Sequence, residues 1–340
     1  MGATIALDAM GGDFAPANPV AGAILAAREL GSRVILVGRE DEIEQCLSRH
    51  GPRDSSISIV HASEAVAMDE APGMALRRKK DSSLRVAANL VHEGKADALV
   101  SAGNSGAVLA TAKFVLGTVE GVDRPALAAV VPNLKGRSVW LDVGANVDCK
   151  PQHIHQWAVM AHIYSRNILG VESPRVGLLS IGEEAGKGND LVRETFKLLK
   201  ESGLNFIGNV EGHDIFNGNA DVIVCDGFTG NVALKVIESA TETLFHFLKQ
   251  EFSRSWRTRL GYFLSRPAFK GFKKRVDYAE FGGAPLLGVR GATIISHGKS
   301  SPRAIRNAIR VAGEVVDHRV NQQIQDELRR RAHGLQSVTA

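Results

Sequence analysis

Short apolar runs alternate along the chain with longer stretches in which apolar residues return every third or fourth position. The runs Thr4 to Leu7, Val34 to Val37, Ile57 to Val60, Ala98 to Val100, Ala126 to Val131, Val139 to Leu141, Arg175 to Ser180, Phe206-Ile207, Val222 to Val224 and Thr293 to Ile295 read as strands. Several are β-branched on both faces, as buried parallel strands require. Helical spacing follows most of them: Val20, Ala23, Ile24 and Ala27; Leu84, Ala87, Ala88 and Val91; a helix from Ala107; one from about Pro151 with Ile154, Trp157, Ala161, Tyr164 and Ile168; and Leu191, Phe196 and Leu199. A further helix runs from Asn231 to about Phe252. A last, long one starts near Pro302 and carries Ile305, Ile309, Ala312, Val316, Val320, Ile324 and Leu328 on one side. The repeated order predicts an α/β fold with a doubly wound, largely parallel sheet and helices on both faces. One catalytic unit is expected over residues 1–333, with two lobes as the alternative, and a frayed tail over 334–340. The last stripe is longer than one sheet face needs, so part of it is expected at a subunit contact in a homodimer.

Six glycine-rich polar loops occupy one topological position, after a strand and before a helix: 8–16, 101–106, 142–148, 182–189, 226–231 and 297–301. In open α/β sheets ligands bind at the carboxyl ends of the strands, so the loops are expected to converge on one edge. The clearest is DVIVCDGFTGNVALKVI, Asp221 to Ile237, in which a strand gives way to two glycines and short polar residues before a helix. Free N–H groups and the helix dipole favour an anion there. Taken singly, the same loop is equally explained by Asp226 or Asn231 capping the helix. Six such loops together favour a small anionic ligand.

Other ligands are excluded by spacing. Residues 182–188 hold glycines one position too close for a nucleotide P-loop, Lys187 is followed by Gly188, and Glu183 and Glu184 would repel a triphosphate. No G-x-G-x-x-G follows the first strand. His153 and His155 are two apart and do not share a helix face, so no metal is expected. Cys225 ends a buried strand, where a cysteine is ordinarily an inert small hydrophobe.

With 340 residues, 44% hydrophobic, and 35 glycines, the chain can bury a large core. It shows no leader and no apolar run near the ~20 residues that span a bilayer. Cys46, Cys149 and Cys225 have no paired spacing, which fits a reducing cytoplasm. Net charge is +4, yet residues 253–277 hold eight Lys or Arg against one acid, so basicity is local. That segment places Trp256, Leu260, Phe263 and Leu264 on one helical face, then Pro267, then Phe269, Phe272 and Val276 on another. It reads as a basic amphipathic insertion of two short helices lying on an anionic membrane surface. Arg254, Trp256, Arg257, Leu260, Phe263, Lys273 and Lys274 are its membrane or carrier contacts. The alternative is a hairpin buried against the domain or a second subunit. Without another basic stripe, nucleic acid is not expected. Arg77 to Lys80 is a second basic cluster.

In order along the chain, DAMGGD, SAGNSGA, LDVGANVDC, IGEE with a downstream KG, FIGNVEG, CDGFTGNVALK, FGGAPLLG and a late HG span residues 8 to 298. This series closely resembles the bacterial phosphate acyltransferase (PlsX) family. The resemblance implies transfer of a fatty acyl group from acyl carrier protein to inorganic phosphate, giving acyl phosphate for phospholipid synthesis. It also implies a dimer, and a fold similar to phosphotransacetylases and the isocitrate dehydrogenase group. Phosphate is already a nucleophile and a thioester is already activated, so positioning and oxyanion stabilisation suffice without a cofactor. The phosphate candidates are Gly11, Gly12, Asn104, Ser105, Thr229 and Gly230, with Lys187 and Asn231. His297 or Lys187 would serve the departing thiol or the oxyanion. Asp8, Asp13, Asp142 and Asp226 are expected to orient the loops rather than touch phosphate. Rival readings are a phosphotransacetylase using a coenzyme A thioester, which would not need the basic aromatic segment, and a peripheral membrane scaffold that binds phosphate as a regulator.

Overall fold

Among the residues described by this computed structural model (2–52, 54–276 and 282–338), the chain forms eleven strands and twelve helices. The side chains of 273–276 and 332–338 lie outside the description, and with them the contacts assigned to Lys273 and Lys274. The first third contains β1 (Thr4–Asp8), α1 (Ala17–Leu30), β2 (Arg33–Gly38), α2 (Glu40–Ser48), β3 (Ile57–His61), α3 (Pro72–Arg78), α4 (Ser83–His92), β4 (Ala98–Ser101) and α5 (Ser105–Val115). The middle holds β5 (Ala126–Asn133), β6 (Gly136–Leu141), α6 (Pro151–Leu169), β7 (Val176–Leu179), α7 (Asp190–Lys200), β8 (Phe206–Val210), α8 (Asp214–Asn217) and β9 (Val222–Val224). Then come α9 (Gly227–Ser253), α10 (Trp256–Val276), β10 (Ala284–Leu287), β11 (Ala292–Ile295), α11 (Pro302–Asp317) and α12 (Val320–Val338).

All eleven strands join one sheet in the order β3-β2-β1-β4-β11-β10-β5-β6-β9-β7-β8. Pairs within β3-β2-β1-β4-β11 and within β6-β9-β7-β8 are parallel, whereas β10 is antiparallel to β11 and β5, and β5 is antiparallel to β6. The two parallel blocks therefore run in opposite directions, and the six loops do not share one edge. Register explains how they still meet. Ile295 at the end of β11 pairs with Ala284, and Leu286 pairs with Leu127, which sets Ile295 level with Ala129 on β5. Leu141 at the end of β6 pairs with Ala128. The carboxyl ends of the two blocks thus stop within one residue of the same height, facing each other across β5.

Helices cover both faces. Trp157 and Tyr164 of α6 are fully buried against the sheet, and α1 packs closely on α11, where a Cβ on Gly22 would fall 2.5 Å from Ile305 Cβ. The long final helix of the sequence pattern is broken. Arg319 takes φ 49°, separating α11 from α12. Ile305, Ile309, Ala312, Val320 and Ile324 are all buried within the chain, so the stripe expected at a subunit contact is consumed by α11 and α12 packing on their own sheet and on α6. The basic aromatic segment also differs: α10 is one helix with Pro267 inside it, folded back on α9. Phe252 and Phe269 fix the pair with ring centroids 5.0 Å apart, and Tyr262 lies 5.3 Å from Phe269.

Candidate active site

The ends of the two blocks open into a cavity of about 1780 Å³ between β5 and the α9–α10 hairpin. Its polar end is formed by Asp13, Gly103, Ser105, Asn231, Lys235, Glu238, Ser296, His297 and Gly298. From there it continues between Leu127, Ala129 and Val131 on one wall and Leu234, Phe245, Leu248, Phe252, Phe269 and Phe272 on the other. One face of α9 makes this gradient. At steps of three and four, Asn231, Lys235 and Glu238 give way to Thr241, Phe245, Leu248 and Phe252.

Aspartates hold the loops that carry the polar end. Asp8 is buried and accepts hydrogen bonds from Ser83 Oγ and Ser101 Oγ, both at 2.7 Å, and from the Met10 amide at 3.2 Å, tying three segments together. Asp142 accepts from the amides of Leu127, Gly144, Ala145 and Asn146 and from Asn146 Nδ2, at 2.7–3.2 Å. Burial outweighs these donors and raises both carboxyls above the usual carboxylate value. Asp226 caps α9, with Oδ1 2.9 Å from the Thr229 amide and Oδ2 2.7 Å from Thr229 Oγ1. Asp13 stands on the cavity wall, its amide bonded to the Gly298 carbonyl at 2.9 Å.

Several residues expected to face phosphate are used in other ways. The predicted loop 226–231 is the first turn of α9, and three of its amides are engaged: Gly227 donates to Asn146 O, Thr229 to Asp226 Oδ1 and Gly230 to Asp226 O. Gly230 is buried against the backbone of Asp142, leaving no room for a ligand. Gly11 and Gly12 let loops pack on one another. A Cβ at Gly11 would fall 2.6 Å from Asp8 Oδ2, and Gly12, at φ 103°, lies against the Gly298 carbonyl. Asn104 caps α5 through Oδ1, while its Nδ2 donates to Met68 O at 2.9 Å and Glu70 O at 3.0 Å. Lys187 stands on the exposed 182–189 loop, outside the cavity lining. The structure does bring Ser105, Asn231 and His297 together.

A model of the family described as "Fatty acid synthesis protein" matches residues 3–323. The chain belongs to this family. It is 52% identical over 324 residues to a phosphate acyltransferase of Pelotomaculum thermopropionicum, covering 95% of this chain and 94% of that one. It is 55% identical over 323 residues to a phosphate acyltransferase of Acidobacterium capsulatum, covering 94% and 96%. The fold is that of a phosphotransacetylase from Streptococcus pyogenes, with a TM-score of 0.63 at 19% identity over 93% of this chain and 94% of that one.

Lys235 and Glu238 were not singled out by the sequence pattern, although their spacing from Asn231 places all three on one face of α9. Glu238 is half-buried, and burial raises its carboxyl above the usual value while His297 and Lys235 oppose the shift. His297 Nδ1 accepts the Lys299 amide at 3.1 Å, so the neutral imidazole carries its proton on Nε2. Among the described residues, the side chains of Ser105, Asn231 and Lys235 have no hydrogen-bond or ion-pair partner within the chain, leaving a hydroxyl, an amide and a cation for a ligand. The one group with metal-ligand geometry among the described residues is Glu183, His213 and Asp214, with atoms within 4.8 Å. Asp214 there is already bonded to the Glu211 amide and Asn217.

Proposed function

We propose that the chain transfers a fatty acyl group from acyl carrier protein to inorganic phosphate, releasing acyl phosphate for phospholipid synthesis. The observation that carries this reading is the cavity: hydrogen-bonding and cationic groups at one end, continuous with an apolar groove along ~30 Å of α9. An acetyl group has no use for such a groove, which favours a long acyl chain over the substrate of a phosphotransacetylase.

Phosphate sits between the first turn of α5 and Asn231, held by Ser105, Asn231 and Lys235. The 182–189 loop leaves β7 two strands from β6 at the same height, but Lys187 stands outside the cavity lining, so the cation assigned to phosphate is Lys235. A phosphate oxygen attacks the thioester carbonyl, forming the C–O bond; the C–S bond then breaks, His297 Nε2–H donates a hydrogen bond to the sulfur as its charge develops, and the proton carried by phosphate passes to the thiolate to give the free thiol. Each donor aimed at the developing oxyanion is worth ~10²–10³ in turnover. No covalent acyl-enzyme is needed. The Cys225 thiol is buried, accepts from Trp140 Nε1 at 3.2 Å, and is pushed well above its usual pKa by burial, so it supplies no thiolate. A Cys225→Ala chain is expected to keep turnover within about threefold of wild type; trapping of an acyl-enzyme in the absence of phosphate would overturn direct attack. The reaction itself is tested by incubating the protein with phosphate and long-chain acyl carrier protein or acyl coenzyme A. Acyl phosphate is expected, and its absence with both donors removes the reading.

The exposed face of the hairpin extends the proposal to a cytoplasmic enzyme bound peripherally to anionic membrane. Trp256 (70% exposed), Phe263 (66%) and Leu264 (71%) project from the start of α10 beside Arg254 and Arg257, while Phe269 turns inward. No helix among the described residues is long and apolar enough to cross a membrane. Polar substitution of Trp256, Leu260 and Phe263 is expected to release the protein from anionic vesicles in co-sedimentation. In the wild type, binding should weaken with salt, each basic residue contributing ~1 kcal/mol. A variant that sediments unchanged contradicts this assignment, and one that instead dissociates a dimer gives the face to a second subunit.

A further inference from the structure

The proposed donor is an acidic protein that presents its thioester on a flexible arm, and two basic surfaces compete for it, the Arg77–Lys80 cluster and the α9–α10 hairpin. Building on that function, we infer that the acidic carrier docks on the face of α3 beside the polar end of the cavity, with Arg77, Arg78 and Lys80 as its charge partners.

The first argument is direction. The arm and the acyl chain leave the thioester carbonyl on opposite sides. With the carbonyl at Ser105, Asn231 and His297 and the chain in the groove along α9, the arm exits away from the hairpin. Arg254 and Arg257 lie at the far end of α9, ~35 Å along its axis from Asn231. A carrier docked there would thread its arm through the groove that its own acyl chain occupies.

The exit leads to α3. Met68 lines the cavity, and Asn104 Nδ2 holds the Met68 and Glu70 carbonyls against the start of α5. A Cβ on Gly106 would lie 2.8 Å from Pro72, the first residue of α3. The far end of α3 is fixed by Arg85, whose Nη1 donates to Leu76 O at 2.9 Å and whose guanidinium lies 5.3 Å from the Phe114 ring centroid. Arg77 and Arg78 thus stand ~8–9 Å along the axis of α3 from Pro72, which packs on the start of α5.

Charge pairing separates these side chains into two groups. Lys79 is committed to the fold through Glu70 at 2.6 Å and the Ala65 carbonyl at 2.7 Å, which also neutralises Glu70. Arg77, Arg78 and Lys80 are exposed and make no ion pair among the described residues. Met74, 41% exposed, lies one helical turn from Arg78 on the same face and gives the surface an apolar centre. Cations around a small exposed apolar patch match an acidic helical surface by charge and raise its rate of encounter.

The test compares the full wild-type chain with Arg77→Glu/Arg78→Glu/Lys80→Glu, and with the milder Arg77→Gln/Arg78→Gln/Lys80→Gln as a guard against misfolding. Both variants are assayed for turnover of long-chain acyl carrier protein and for direct binding of the holo carrier by fluorescence anisotropy. We expect the carrier KM and Kd to rise about tenfold or more in the glutamate variant and less in the glutamine variant, with phosphate KM unchanged and a flatter salt dependence. Unchanged carrier affinity in both variants overturns the assignment, as does an equal loss produced by Arg254→Glu/Arg257→Glu instead. If the wild type binds carrier but forms no acyl phosphate, the proposed function fails, while the binding comparison still decides the docking surface.

Discussion

A Gly230→Ala chain is expected to lose about 3 kcal/mol of stability and to be inactive wherever it still folds. The added Cβ would lie 2.0 Å from the Asp142 carbonyl oxygen and 3.0 Å from Cys225 Sγ. Neither neighbour has room to yield. The Asp142 amide donates to the Cys225 carbonyl at 3.2 Å, the Cys225 amide donates to Leu141 O at 2.9 Å, and the Asp142 carboxylate anchors the 144–146 loop. Relief would have to come from lifting α9 off the sheet, which moves Asn231 away from Ser105 and opens the cavity. The check is the urea midpoint, with Gly186→Ala as the control. A Cβ at Gly186 meets nothing within 4 Å, so its effect should stay within about 0.5 kcal/mol. Equal midpoints for the two variants would show that the contact between α9 and Asp142 is not tight.

Glycines were read from the sequence as places where backbone approaches a ligand, and the contacts reassign many of them. At 11, 12 and 230, the missing side chain admits another part of the same chain. Sequence alone does not separate these uses, because both demand the same absence of a Cβ at the same strand-to-helix position. The loops were legible since glycine and short polar residues interrupt apolar runs. Which of their donors remain free was not, as that depends on caps such as Asp226 and Asn104.

The sheet was legible strand by strand but not in its direction. β10 is four residues long and contains Pro285, a pattern that reads as a turn; it is antiparallel to both β11 and β5, which therefore run the same way, and the reversal comes from the β5–β6 hairpin, whose strands are separated only by residues 134–135. Without that hairpin, every strand–loop–helix unit points the same way and the loops fall on one edge. α2 was missed for a related reason: only Ile43 and Leu47 of EDEIEQCLS are buried, too few to mark a period. For the hairpin, the aromatic residues were visible and their division between inside and outside was not. Phe269 and Phe272 turn toward α9 because Phe252 and Phe245 are there to meet them, a long-range fact. The acyl-sized groove exists only once that hairpin closes.

Replacing Asn231 by alanine is expected to reduce kcat/KM for phosphate about 100-fold, ~2.7 kcal/mol of transition-state stabilisation, with little change in melting temperature. The residue sits in the first full turn of α9, its side chain lying across Gly144, where a Cβ would come within 3.3 Å of it. That contact fixes the amide at the polar end of the cavity opposite Ser105 and His297 without using its hydrogen-bonding capacity. Truncation therefore breaks no internal hydrogen bond and should cost little stability. It does remove a donor aimed at an anion in a partly enclosed site, where such donors count for more than in water. Asn231→Asp sharpens the test, because the carboxylate has nearly the same shape and the opposite electrostatic effect. Close to phosphate it repels, so the aspartate variant should show a higher phosphate KM than the alanine variant, by about tenfold at neutral pH. A phosphate KM for Asn231→Asp equal to that of the wild type would move the anion away from α9 and leave Ser105 and the start of α5 to hold it.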